Sequence, residues 1–149
     1  MNPAPAPELV AALADLAPGK ALDVACGAGR HTFWLREREW DVTAVDRDGF
    51  AGSIRADLER GEFLIEPAGY DLIVCWLYWQ PDLVPLIARG VKPGGVVAIA
   101  GKLSGRFAVS LDQLRGGFAG WDEIASGENE VRAFLVGRRV IGGGEEVVD

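Results

Sequence analysis

"KALDVACGAGRHTFWL", residues 20–35, is the stretch whose reading decides the fold. A run of strand formers comes first, a helical pattern starts at Arg30, and four small residues, Cys26, Gly27, Ala28 and Gly29, lie between them. One glycine is enough for a turn, because a single residue without a Cβ relieves the clash of a left-handed bend. Several small residues at a strand-to-helix junction predict that something lies against the backbone there.

Outward from this stretch the chain alternates. Leu9, Leu13 and Leu16 mark a helix over residues 8–17, stopped by Pro18-Gly19. Strands are predicted over 21–25, 41–45, 53–56, 71–75 and 96–100, with helices over 30–39 (Phe33 and Trp34 inward) and 82–89. "VKPGG" turns the chain into the fifth strand. "DLIVC", uninterrupted in its apolar character, reads as a strand buried on both faces. Ser110 and Gln113 have the spacing of a capping box. Residues 121–125 and 131–138 read as a closing antiparallel hairpin. The expected fold is α/β, Rossmann-like and doubly wound: a mainly parallel seven-stranded sheet, helices on both faces, a C-terminal antiparallel hairpin and a shortened crossover between strands two and three. Residues 1–149 are expected to form a single domain with fraying over 1–6 and 142–149.

Composition excludes several classes. The chain has 149 residues, 49% hydrophobic and 25% charged, as in ordinary soluble globular domains. A formal charge of −7 opposes a surface that tracks phosphates, so no nucleic-acid partner is expected. No apolar run approaches the ~20 residues that span a bilayer, and the start lacks the pattern of a signal peptide. No membrane partner and a cytoplasmic location are therefore expected. Cys26, Cys75 and the single histidine, His31, have no metal-ligand spacing, and both cysteines are read as reduced structural thiols with no metal site.

Three ligands and an empty turn compete for residues 23–29. A nicotinamide turn wants G-x-G-x-x-G, but Ala25 precedes Gly27 by two, and Thr32 stands where the third glycine belongs. A P-loop needs G-K-[ST], and no lysine is here. A tight turn holding nothing is the plain alternative. The third ligand emerges from the rest of the chain. "LDVACGAGR", "VTAVDRD" with Asp46, "RADLE" with Asp57, "YDLIVCWLYW" and "VKPGG" succeed one another in order. In this the chain resembles the class I S-adenosylmethionine-dependent methyltransferases, and within them the small bacterial tellurite-resistance type.

The resemblance implies S-adenosylmethionine as cofactor and a small-molecule methyl acceptor. Carried over by position, Asp23 receives the ammonium group, and Ala25, Cys26, Gly27 and Gly29 lie along the methionine moiety. Arg30 pairs with its carboxylate, Asp46 and the neighbouring Arg47 face the ribose, and Asp57 and Leu58 hold the adenine. The backbone at Cys75 closes the site, while Trp76 and Tyr78 wall the acceptor. Each has a plainer reading. Asp23 can bond the turn, Asp57 can cap the segment after it, Arg30 can face solvent, and Trp76, Tyr78 and Trp79 can simply fill core. His31, at the start of a helix, is a weak candidate for a general base, with a partly exposed polar residue as the plain alternative. A binding module without catalysis, or one needing a partner subunit, is the second functional reading.

One expectation concerns chain length. Only ten residues separate Asp46 from Asp57, and four must form the third strand. Six extended residues span about 20 Å, enough to return along a short strand but not to build a covering helix. This spacing predicts a tight loop, a short edge strand and an open adenine pocket, covered by Phe50, by another part of the chain or by a second copy in a homodimer.

Overall fold

The computed structural model describes residues 4–141; the two ends expected to fray at 1–3 and 142–149 lie outside the described residues. The elements in chain order are α1 (Pro7–Leu13), β1 (Lys20–Val24), α2 (Arg30–Glu37), β2 (Asp41–Asp46), β3 (Ile54–Arg55), β4 (Tyr70–Trp76), α3 (Val84–Gly90), β5 (Val91–Lys102), α4 (Leu111–Gly117), β6 (Asp122–Glu128) and β7 (Arg132–Arg138). The sheet runs β3-β2-β1-β4-β5-β7-β6. Its first five strands are parallel, and β7 is antiparallel to both β5 and β6. This is the expected doubly wound α/β fold, closing hairpin included.

Side-chain alternation along the strands builds two apolar layers. Leu22, Val24, Ile73, Val97 and Ile99 face Ile87 of α3 and Leu114 of α4. Ala21, Leu72, Val74 and Ala98 face Leu9 and Leu13 of α1 and Leu35 of α2. A fully buried leucine contributes about 2 kcal/mol over an exposed one, so these layers dominate the stability. The Ser110–Gln113 capping box forms as expected: the Ser110 hydroxyl accepts from the Gln113 amide at 3.1 Å, and the Gln113 Oε1 accepts from the Ser110 amide at 2.8 Å.

The short crossover behaves as its length dictates. No helix stands between Asp46 and Asp57; Phe50 and Ser53 close a turn, and β3 is two exposed residues at the sheet edge. Phe50 is one of the three expected covers. It turns onto Phe33, with 4.8 Å between ring centroids.

Other boundaries differ from the periodicity. α1 stops at Leu13 rather than at 17, leaving Leu16 half-buried beyond it. α2 buries His31, Thr32 and Leu35, while Phe33 and Trp34 lie half-exposed on its flanks. The segment read as the "VKPGG" turn pairs instead: Val91 is opposite Tyr70, and β5 runs through it with a register shift between Tyr70 and Leu72. Ala4 to Ala6, inside the start expected to fray, is held. Ala6 is 1% exposed, and its amide donates to His31 Nε2 at 3.1 Å.

Candidate functional site

Open parallel sheets bind ligands beyond the carboxyl ends of the strands, where the strand order reverses. Here that point lies between β1 and β4, and a crevice opens there. Its first part, of 360 Å³, is lined by Asp23, residues 25–28, Arg30, His31, Trp76 and Leu77. Its second part, of 260 Å³, is lined by Ala25, residues 46–48, residues 57–59, Tyr78 and Phe107. Ala25 borders both. The structure thus gathers Asp23, Cys26, Gly27 and Arg30 at one end and Asp46, Arg47, Asp57 and Leu58 at the other.

The glycine turn is wound by its backbone. Ala25, Gly27 and Gly29 are left-handed, at φ 59°, 56° and 93°. A Cβ on Gly29 would come within 2.7 Å of Phe33 and 2.8 Å of Phe50, so this glycine serves packing. A Cβ on Gly27 would meet no protein atom within 4 Å, and Gly27 is among the residues that line the first part of the crevice. Gly29 and Gly27 therefore exist for different reasons.

Asp23 is 2% exposed on the central strand. Burial pushes its carboxyl up to about 7, against the Thr32 hydrogen bonds that hold it down. The Thr32 hydroxyl donates to it at 2.6 Å. Thr32, which fills the third-glycine position, is thus a partner that the glycine pattern alone does not reveal.

Asp46 accepts backbone hydrogen bonds from two loops. Its Oδ2 accepts from the Gly27 amide at 2.8 Å and its Oδ1 from the Asp48 amide at 3.0 Å. It ties the turn after β1 to the loop after β2. Asp46→Ala is therefore expected to cost the fold about 1–3 kcal/mol as well as ligand affinity. Urea unfolding that matches the parent would disprove the structural share. Asp57 accepts from the Glu59 amide at 3.0 Å, capping a single 3-10 turn that starts at the buried Leu58. Arg47 is exposed and lies 3.7 Å from Asp48. Arg30 reaches back to the Ala4 carbonyl at 3.5 Å.

The two aromatic residues read as one wall lie on different parts of the crevice. Trp76 is buried between His31 and Phe134, with ring centroids 5.8 Å and 6.0 Å away, and its Nε1 has no acceptor. Tyr78 borders the second part, facing Phe107 at 6.3 Å, and donates its hydroxyl to Gln80 at 2.6 Å. Cys75 and Cys26 are buried, and burial pushes both thiols up to about 12, which leaves them unreactive. Among the described residues no group of three or more His, Cys, Asp or Glu could hold a metal, and no helix is long and apolar enough to cross a membrane.

His31 is not the partly exposed polar residue of the plain alternative, although it lines the first part of the crevice. It is 4% exposed, and burial, helped by the Arg30 and Arg132 cations, lowers it to about 4. Its Nε2 lone pair takes the Ala6 amide, anchoring the start of α1. A bidentate pair between Glu8 and Arg132, with contacts at 2.7 and 2.8 Å, secures the same helix to β7. The neutral imidazole's contribution is whole above pH 6.5 and fades as pH falls toward 4, because only the unfolded chain takes the proton. Denaturation at pH 7 and pH 5 should show a loss of stability that His31→Gln lacks. Equal losses in both proteins would refute the assignment.

Residues 4–72 match the family model described as "Tellurite resistance protein TehB". The structure of TehB from Haemophilus influenzae superposes with a TM-score of 0.74 at 18% identity, over 89% of this chain and 61% of that one. The chain shares the fold of that TehB structure. Trans-aconitate 2-methyltransferase of Rhodopseudomonas palustris is 33% identical, over 64% of this chain and 43% of the relative. The chain thus spans less than half the length of that curated relative. A third likeness is to the Burkholderia thailandensis 1,6-didemethyltoxoflavin-N1-methyltransferase, determined with bound 1,6-didemethyltoxoflavin and S-adenosylhomocysteine. It has a TM-score of 0.64 at 18% identity, over 89% of this chain and 75% of that one.

Proposed function

We propose that the protein binds S-adenosylmethionine in this crevice and transfers its methyl group to a small molecule. One observation carries the reading: the order of groups along the crevice matches the order of groups along the cofactor. Asp23 and Arg30 offer a carboxylate and a guanidinium to the amino-acid end. Ala25, shared by both parts, would border the sulfonium. Asp46 offers carboxylate oxygens to a diol, and Asp57 with Leu58 stands at the base. The open space beside Gly27 suits a ligand chain lying against backbone.

When bound, the cofactor supplies an electrophilic methyl on a positively charged sulfur. The chain's own residues hold and orient. Alignment and exclusion of water can supply much of the acceleration of an in-line displacement. Because the His31 lone pair is already committed to Ala6, no imidazole is left for a base in this reading. The acceptors that suit are those needing no enzyme base, such as a thiolate or another soft anion. A module that binds without catalysis is the competing reading, favoured by that same commitment of His31.

Calorimetry with S-adenosylhomocysteine and with NAD tests the cofactor first. Binding of the former alone is expected, and preference for NAD would overturn the reading. A screen with labelled S-adenosylmethionine against thiols, amines and oxyanions then separates enzyme from module. Asp46→Asn should weaken S-adenosylhomocysteine about tenfold, since an acceptor is lost from the diol; unchanged affinity would remove Asp46 from the ribose.

A further inference from the structure

Leu77 has a backbone that its own side chain disfavours. It comes directly after β4, and its φ of 62° is left-handed, a conformation that a branched side chain rarely adopts. Its amide is fixed to the Ala100 carbonyl at 2.8 Å, so the chain is pinned at this point. Ala25, which comes directly after β1, has nearly the same φ, 59°. β1 and β4 are neighbours with Val24 opposite Cys75, which puts the two strained residues at adjacent strand ends. Both border the crevice. Non-glycine residues held left-handed collect at ligand-binding positions, where the surrounding structure overrules their preference.

Resting on the proposed cofactor, we infer that Leu77 is a positioning residue for the transferred methyl group. In that reading the sulfonium would lie at Ala25, which both parts of the crevice share, and Leu77 borders the crevice from the neighbouring strand end. Leu77 also packs, half-buried, against the apolar layer beneath α1 and α2, so it presents a firm apolar rim. Such a rim gives a bound methyl apolar contact and keeps water from the sulfur. S-adenosylhomocysteine lacks the methyl and gains nothing from it. A purely architectural Leu77 would affect both molecules alike.

The test is the ratio of affinities, measured by calorimetry on the parent, Leu77→Gly and Leu77→Asn. Glycine adopts the observed φ freely and asparagine tolerates it, so both variants keep the turn. The parent's preference for S-adenosylmethionine over S-adenosylhomocysteine is expected to fall about fourfold in Leu77→Gly, the worth of burying one methyl. Leu77→Asn should show a fall of the same sign. S-adenosylhomocysteine affinity itself should stay within about twofold. If both ligands weaken by one common factor, or neither changes, the inference is overturned while the cofactor reading stands. If the parent binds neither molecule, the cofactor reading fails and carries this inference with it.

Discussion

Asp23→Asn is expected to make the protein more stable at pH 8 and at the same time a poorer binder of S-adenosylhomocysteine. The carboxyl is buried at 2% exposure and titrates at about 7, well above the usual 3.8. The folded chain therefore holds this proton more tightly than the unfolded chain does. Stability falls as pH rises from about 4 to 7 and the cost is fully present above 7. Three pH units correspond to up to about 4 kcal/mol. Asparagine resembles the protonated acid, keeping an oxygen for the Thr32 hydroxyl without a charge to desolvate. Scanning calorimetry should give a melting temperature roughly 5–10 °C higher at pH 8, with the gain vanishing near pH 4. The binding loss should be about tenfold or more, as an ammonium loses its ionic partner. A variant less stable than the parent at pH 8 would show that the buried charge is better solvated than its surroundings suggest.

The two turn glycines should separate stability from binding. Gly29→Ala drives a Cβ into Phe33 and Phe50 and strains a φ of 93°, so a loss of about 2–5 kcal/mol is expected. Gly27→Ala meets no protein atom and bears only the left-handed strain, about 1–2 kcal/mol. Under the proposed reading its methyl would stand where the cofactor lies, and S-adenosylhomocysteine binding should drop by well over tenfold. Urea unfolding and calorimetry on both variants decide the matter. Equal stability losses with binding intact in Gly27→Ala would mean that no ligand lies along this turn.

Much of this is legible in the sequence, for identifiable reasons. Alternating apolar runs specify strands and their faces, and the short spacing from Asp46 to Asp57 forbids a helix whatever its composition. Asp23, Asp46 and Asp57 stand out because they lie on or just after strands whose ends must meet. The hidden features depend on contacts far apart in the chain. His31 resembles a surface residue at a helix start, yet Ala6, 25 positions earlier, uses its nitrogen. Thr32 resembles a missing glycine. Leu77 carries no signal at all, since nothing in a leucine announces a left-handed backbone. Phe33 is misplaced by the periodicity, while Trp34 packs half-buried against the apolar layer, because a two-turn helix is too short for its stripe to settle which side faces in.

The sheet order also governs how the chain gets there. β1 comes early in the chain yet ends up in the middle of the sheet, between β2 and β4. Lys20 finds Asp41 across 21 positions, whereas Ala21 must wait for Leu72, 51 positions away. Closing the longer loop costs about 0.8 kcal/mol more in chain entropy. Until that closure, one flank of Asp23 is open to water; afterwards Val74 stands beside it. The acid therefore loses its hydration in the slow, long-range step of assembly. Above neutral pH this buried carboxylate therefore acts as a brake on closing the central pair of strands.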